Sequence, residues 1–155
     1  MTDYYLDSSA TVKRYAQETG TAWVVSITDP TAENSILISE ITVAEVAAAL
    51  AAKHRVPRGI SRPERDRALS LFLRECRDRF MLLKVDRRVI DLAVELTQRL
   101  PLRGYDAVQL ATARLANQDL MASGLPPLVF VSADNDLIAA AQTEGLNTEN
   151  ANLYP

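Results

Sequence analysis

Four acidic side chains stand where a carboxylate could do chemistry. Asp7 directly follows the β-prone run Tyr4-Tyr5-Leu6, and Asp134 comes just after the apolar run Leu128 to Val131. Glu45 and Asp106 each fall in the first turn of an expected helix, one after Ile36-Leu37-Ile38 and the other after Gly104-Tyr105. Each also has a structural reading. Asp7 and Asp134 can cap helices, Thr42 and Glu45 have the spacing of a capping box, and Asp106 can complement a helix dipole. Together, however, the four would converge on one rim, and carboxylates held within a few Å repel strongly enough that some protonate unless a cation neutralises them. Oxygen-only ligands select hard divalent ions, so Mg²⁺ is expected there, with Mn²⁺ as a substitute. Such a site generates hydroxide from water and braces the leaving oxygen of a phosphodiester.

Competing chemistries lack their residues. The chain has one cysteine, Cys76, and one histidine, His54, too few for a disulfide or a thiolate or imidazole zinc site. Cys76 sits mid-helix on an apolar side, and His54 lies at a helix end where it favours the dipole. No Gly-x-Ser-x-Gly elbow, P-loop or dinucleotide-binding glycine turn occurs.

The elements that must position these acids alternate between strand and helix. Strands are expected at Tyr4 to Leu6, Ile36 to Ile38, Phe80 to Val85 and Leu128 to Val131. Helices are expected from Ala10 to Glu18, around Trp23 to Ile27, from Thr42 to about Lys53, from Ser61 through Leu69, Phe72, Leu73 and Cys76, from Asp86 to Leu100, from Tyr105 to Leu120, and after Asp134 to Glu144. Apolar strands that alternate with helices argue for an α/β domain around a central, mostly parallel sheet. At 155 residues, with 48% hydrophobic and 24% charged side chains, the expected organisation is a single domain over 1–155. In open sheets of this kind ligands bind beyond the carboxyl ends of the strands, which is where the four acids fall.

Charge is unevenly spread. Lys53 to Arg88 carries 12 Lys and Arg against 5 acids, while the rest carries 5 against 15, so a net charge of −3 conceals a basic middle between acidic flanks. A solvated helical hairpin explains this as well as a polyanion-binding surface does. No apolar run is long enough to span a membrane, and Asp3 and Asp7 stand where a signal peptide would carry basic and apolar residues, so a cytoplasmic protein is expected.

The sequence resembles the PIN-domain ribonucleases, and within them the VapC-like toxins of toxin–antitoxin pairs. Four segments carry the likeness: Tyr5-Leu6-Asp7-Ser8-Ser9-Ala10 with Val12-Lys13-Arg14-Tyr15; Ser39-Glu40-Ile41-Thr42 with Glu45-Val46; Leu102-Arg103-Gly104-Tyr105-Asp106-Ala107 with Gln109-Leu110-Ala111-Thr112-Ala113; and Phe130-Val131-Ser132-Ala133-Asp134 with Leu137. The resemblance implies a three-layer α/β/α fold in which Asp7, Glu45, Asp106 and Asp134 form a catalytic, metal-binding quartet. Ser8 and Ser132 would give hydrogen-bonding support; Asp136, at a position where the family's motif fixes no acid, is read as an additional ligand or supporting group. It implies Mg²⁺- or Mn²⁺-dependent cleavage of RNA, a cognate antitoxin protein and a homodimer. On this reading Arg58, Arg62 and Arg65, in the divergent basic middle, contact RNA phosphates. Two other readings stand beside it: a catalytically inactive RNA- or partner-binding module, and a Mg²⁺-dependent phosphatase. Against the phosphatase, Leu6-Asp7-Ser8-Ser9 lacks a second aspartate two residues after the first.

Overall fold

Short apolar runs separated by helices leave the strands no hairpin partners, so they must pair in parallel through crossovers. The computed structural model, which describes residues 1–155, has five such strands: β1 (Asp3–Leu6), β2 (Ser35–Ser39), β3 (Met81–Leu83), β4 (Val129–Ser132) and β5 (Asn147–Asn150). They form one sheet in the order β3-β2-β1-β4-β5, and every neighbouring pair is parallel. Between them lie α1 (Ser8–Thr11), α2 (Thr21–Ile27), α3 (Glu40–Arg55), α4 (Arg62–Asp78), α5 (Arg87–Arg99), α6 (Gly104–Ala122) and α7 (Asn135–Thr143). No helix is long and apolar enough to cross a membrane.

Strand side chains alternate between the two faces of the sheet, and here both faces are apolar. Tyr5, Leu37 and Phe130 point into one core with Val89, Ala93 and Leu96 of α5, Leu110 of α6 and Leu137 of α7. Leu6, Ile36, Ile38 and Val131 point into the other, with Ala10, Val24, Val46 and Leu50, and with Phe72 and Cys76 of α4. Two cores on opposite faces make three layers, α/β/α. Tyr5 and Phe130 are register partners on adjacent strands, and their rings stack at 5.6 Å.

The strand order reverses at β1, whose neighbours are the later strands β2 and β4. Such a reversal splays the following loops apart and opens a crevice at the carboxyl ends of the two central strands. The register sets Leu6 against Val131, so the residue after β1 meets the last residue of β4, and Asp7 N–H donates to the Val131 carbonyl at 3.1 Å.

Several elements differ from the sequence reading. The helix expected over Ala10 to Glu18 is one α-turn, α1, then a 3₁₀ turn over Val12–Arg14. Tertiary partners win there: buried Lys13 donates to Glu18, the Thr19 carbonyl and Asn152, while Arg14 and Tyr15 turn to Glu75. Helix α3 is capped by Ser39 and begins at Glu40, so Thr42 and Glu45 do not form a capping box, whereas Ser61 and Glu64 do. Leu73 on α4 is exposed, and β3 is a three-residue edge rather than Phe80 to Val85. The sequence reading has no counterpart for β5, whose Asn-Thr-Glu-Asn residues carry no apolar signature and join the sheet edge through β4.

One buried ionic cluster ties the first layer together. Glu75 accepts from Arg14 at 2.8 and 2.7 Å, and also from Tyr15 and Arg79, while Arg14 and Arg79 each reach Thr28. Burial alone would raise the Glu75 carboxyl, but hydrogen bonds from Arg14 and Tyr15 and the charges of Arg14 and Arg79 outweigh it and hold the group below the usual glutamate range. Replacing Glu75 with Leu strands two partly buried guanidinium groups and is expected to lose about 2–3 kcal/mol at pH 7 in urea denaturation. A carboxyl depressed in the folded state stabilises above its unfolded value of about 4.3, so the difference between wild type and variant should shrink as pH falls through the folded value.

Candidate active site

Because β1 ends at Leu6, Asp7 becomes the cap of α1, accepting from Ala10 N–H at 2.9 Å. Its other bonds come from hydroxyls. Ser132 Oγ, at the end of β4, lies 2.6 Å from Oδ2, and Ser9 Oγ lies 2.8 and 2.9 Å from the two oxygens. The same hydroxyls accept from the next loop, Ser9 from Ala133 N–H and Ser132 from Asp134 N–H, which fixes the entry to α7. Burial pushes the Asp7 carboxyl up to about 6, against the downward pull of Ser132, Ala10 N–H and Ser9, and the Glu45 charge adds to the rise.

Glu45 lies half-buried in the second turn of α3, freed from the capping role by Ser39. Gln109 Nε2 donates to its Oε1 at 2.7 Å, and Ser8 Oγ lies 3.3 Å from its Oε2. Gln109 is itself buried, and its amide spans two layers: it also donates to Thr42 Oγ1 at 2.8 Å and accepts from the Tyr5 hydroxyl at 2.7 Å. Burial raises the Glu45 carboxyl, Gln109 and Ser8 oppose the rise, and Asp106 adds to it.

Asp106 sits in the first turn of α6, and Asp134 caps α7 by accepting from Asp136 and Leu137 N–H. Burial also raises the Asp106 carboxyl, the Asp134 charge adds to this, and Arg103 opposes it. Glu45, Asp106, Asp134 and Asp136 share the wall of one open cavity of about 390 Å³, completed by Arg103, Tyr105 and neighbouring apolar residues. Asp7 is not on that wall. It is 3% exposed and lies behind Glu45, connected to it through charge and through Ser8. The structure thus brings three of the quartet and Asp136 to one surface, with Asp7, Ser8 and Ser132 behind or beside them.

As they stand, the acids do not close into a three-ligand cluster. The donor set nevertheless fits a hard divalent cation, since it is all oxygen and opens onto a cavity. None of the four is in an ion pair, and Arg103 is the one cation on the wall beside them, so their mutual repulsion is only partly answered within the chain. Arg58, Arg62 and Arg65 do not line this cavity. Arg62 and Arg65 both pair with Asp66, and Arg58, at a left-handed φ of 58°, lines a separate hollow with Lys53 and Glu64. The sequence reads Ser8 and Ser9 as helix-capping hydroxyls, but Asp7 is the cap and Ser9 bonds its carboxylate; Gln109, a lone amide among Ala107, Leu110 and Ala111 on the sheet-facing side of α6, has no role in the sequence reading.

A sequence profile of the PIN domain matches residues 4–143. Among solved structures, the chain is similar to VapBC2 from Rickettsia felis bound to a DNA fragment from their promoter, at 16% identity and TM-score 0.64 over 96% of this chain and 98% of that one. It is also similar to VapC20 of Mycobacterium tuberculosis, a sarcin–ricin-loop-cleaving toxin, at 15% and 0.59 over 88% and 94%. A toxin–antitoxin complex from Klebsiella pneumoniae matches at 20% and 0.55 over 88% and 90%. At these identities the likeness is one of fold. No curated protein matches the sequence.

The Gln109 amide is the weak point of this arrangement. Replacing it with Leu keeps the volume close but leaves Thr42, Tyr5 and Glu45 without their shared partner. The expected loss is about 1–3 kcal/mol of folding stability, read from urea denaturation.

Proposed function

Since the chain belongs to the PIN-domain family, we propose that it is a metal-dependent endoribonuclease, a VapC-like toxin held in check by a cognate antitoxin. The observation that carries this reading is the open cavity walled by Glu45, Asp106 and Asp134 at the sheet's reversal point, with Asp7 behind it and no ion-pair partner for any of the four. The solved neighbours support it: one is a sarcin–ricin-loop-cleaving toxin, and another is a toxin–antitoxin complex. A homodimer and a cytoplasmic location belong to the same proposal.

Glu45, Asp106 and Asp134, with Asp7 at the rear, are the residues that would hold Mg²⁺ or Mn²⁺, and Asp136 is placed to assist. A bound ion would supply an activated water and a counter-charge for the leaving oxygen of the phosphodiester. The chain's own residues fix the geometry. Gln109 and Ser8 orient the Glu45 carboxylate, and Ser132 and Ser9 hold Asp7 while also bonding the loop that carries Asp134. Asp106 lies in the first turn of α6 and Asp134 caps α7, so each stands beside a helix N-terminus. Arg58, Arg62 and Arg65 would hold RNA away from the cavity, as contacts to phosphate that carry no base preference.

The test is cleavage of pooled structured and unstructured RNA by purified protein in Mg²⁺, in Mn²⁺ and in EDTA. Cutting is expected in either metal and none in EDTA, with Asp7→Asn and Asp106→Asn reduced to background; cutting that ignores both substitutions would refute the reading. The Arg58, Arg62 and Arg65 triple Ala variant should bind RNA more weakly and with a shallower salt dependence, measured by anisotropy, while metal affinity stays unchanged.

A further inference from the structure

Next to the acidic cavity lies an apolar groove of about 520 Å³ between α5 and the start of α6, lined in part by Ile90, Val94, Thr97 and Val108. Two side chains, Arg103 and Tyr105, line both hollows, so the groove and the cavity meet along them. Tyr105 is 68% exposed, an aromatic ring presented to solvent at the lip of a site walled by carboxylates. Arg103 is the only Lys or Arg on the cavity wall, and it belongs to none of the protein's ion pairs. Between them stands Gly104, also on the groove, where an added Cβ would meet nothing within 4 Å.

This combination suits single-stranded nucleic acid. Such strands bind where a cation follows the backbone and an aromatic face takes a base, because every base has an apolar π-face whatever its sequence. Resting on the nuclease reading above, we propose that Tyr105 and Arg103 form a nucleotide subsite. The Tyr105 ring stacks on the base beside the scissile phosphodiester, that base enters the groove over Gly104, and Arg103 holds an adjoining phosphate. A phosphodiester in the acidic cavity puts its neighbouring base within reach of the groove, and a nucleotide engages both shared side chains at once. Arg103 is the one positive contact on a wall whose other charged groups are carboxylates, and the groove gives base choice a surface separate from the acids. The other occupant the groove admits is a second copy of the chain.

The experiment uses the whole protein and a fluorescein-labelled, random-sequence, single-stranded RNA pool. Affinity is measured by anisotropy in Ca²⁺, cut-site sequences are read in Mn²⁺, and particle mass is measured by sedimentation. Tyr105→Leu should weaken binding about tenfold and flatten the base preference beside the cut, while Tyr105→Phe should stay within about twofold of wild type. Gly104→Leu, whose Cβ meets nothing within 4 Å and whose side chain would occupy the groove, should reproduce the loss. Arg103→Gln should lower the slope of log affinity against log salt by about 0.7. Wild-type binding that Tyr105→Leu, Gly104→Leu and Arg103→Gln all leave unchanged would overturn the subsite and spare the nuclease reading. RNA bound through Tyr105 but never cut would do the reverse, and no RNA binding at all would overturn both. A change in mass with Tyr105→Leu or Gly104→Leu, at unchanged RNA affinity, would assign the groove to a second copy and overturn the subsite.

Discussion

Burying the Asp7 carboxylate at the seam between β1 and β4 is costly unless its oxygens are bonded, and the partners come from segments that only the sheet brings together. Ser132 arrives from the end of β4, 125 residues along the chain, while Ser9 and Ala10 come from the turn just after β1. The hydroxyls that hold Asp7 also hold the loop to α7, so the position of Asp134 depends on the same bonds. A single buried acid therefore sets the spacing between the rear of the site and one of its walls.

Gln109 does the equivalent work on the other side. Its amide bonds β1 through Tyr5 and α3 through both Thr42 and Glu45, so one side chain of α6 links three elements. Repulsion among the carboxylates opposes this convergence: burial and neighbouring acids raise Asp7, Glu45 and Asp106 together. Positive charge elsewhere is mostly committed. Arg14 and Arg79 serve Glu75, Lys13 and Lys53 serve Glu18, and Arg99 and Arg114 serve Glu144. The fold pairs most of its side-chain cations with acids outside the site and leaves the acid wall with Arg103 alone, which suits a wall that takes a cation from solution.

Much of this was legible in the sequence because the responsible forces are local. Asp86 caps α5, Ser61 and Glu64 make their capping box, and the apolar runs at Tyr4 to Leu6, Ile36 to Ile38 and Leu128 to Val131 all become strands. The acids were legible as well, since strand ends and helix first turns mark the rim of any parallel sheet. What escaped depends on distant partners. Glu45 reads more readily as a cap until Ser39 is seen to start α3, and the Ala10 to Glu18 helix fails because Glu75, Thr19 and Asn152 claim its side chains. The strand β5 is held by backbone pairing to β4, which leaves no trace in side-chain hydropathy. Gln109 and the Arg103–Tyr105 lip likewise acquire meaning only from what the fold sets beside them.

The pairing of an early strand with a late one also has a consequence in time. At about 5–20 residues per second, synthesis leaves roughly 6–25 s between Asp7 and the Ser132 that must bond it. Until then β1 has no partner on its β4 side, and Asp7 lacks its bond from Ser132. Whatever chemistry the acid wall performs, its buried support is completed only near the end of synthesis, and the order of the strands imposes that delay.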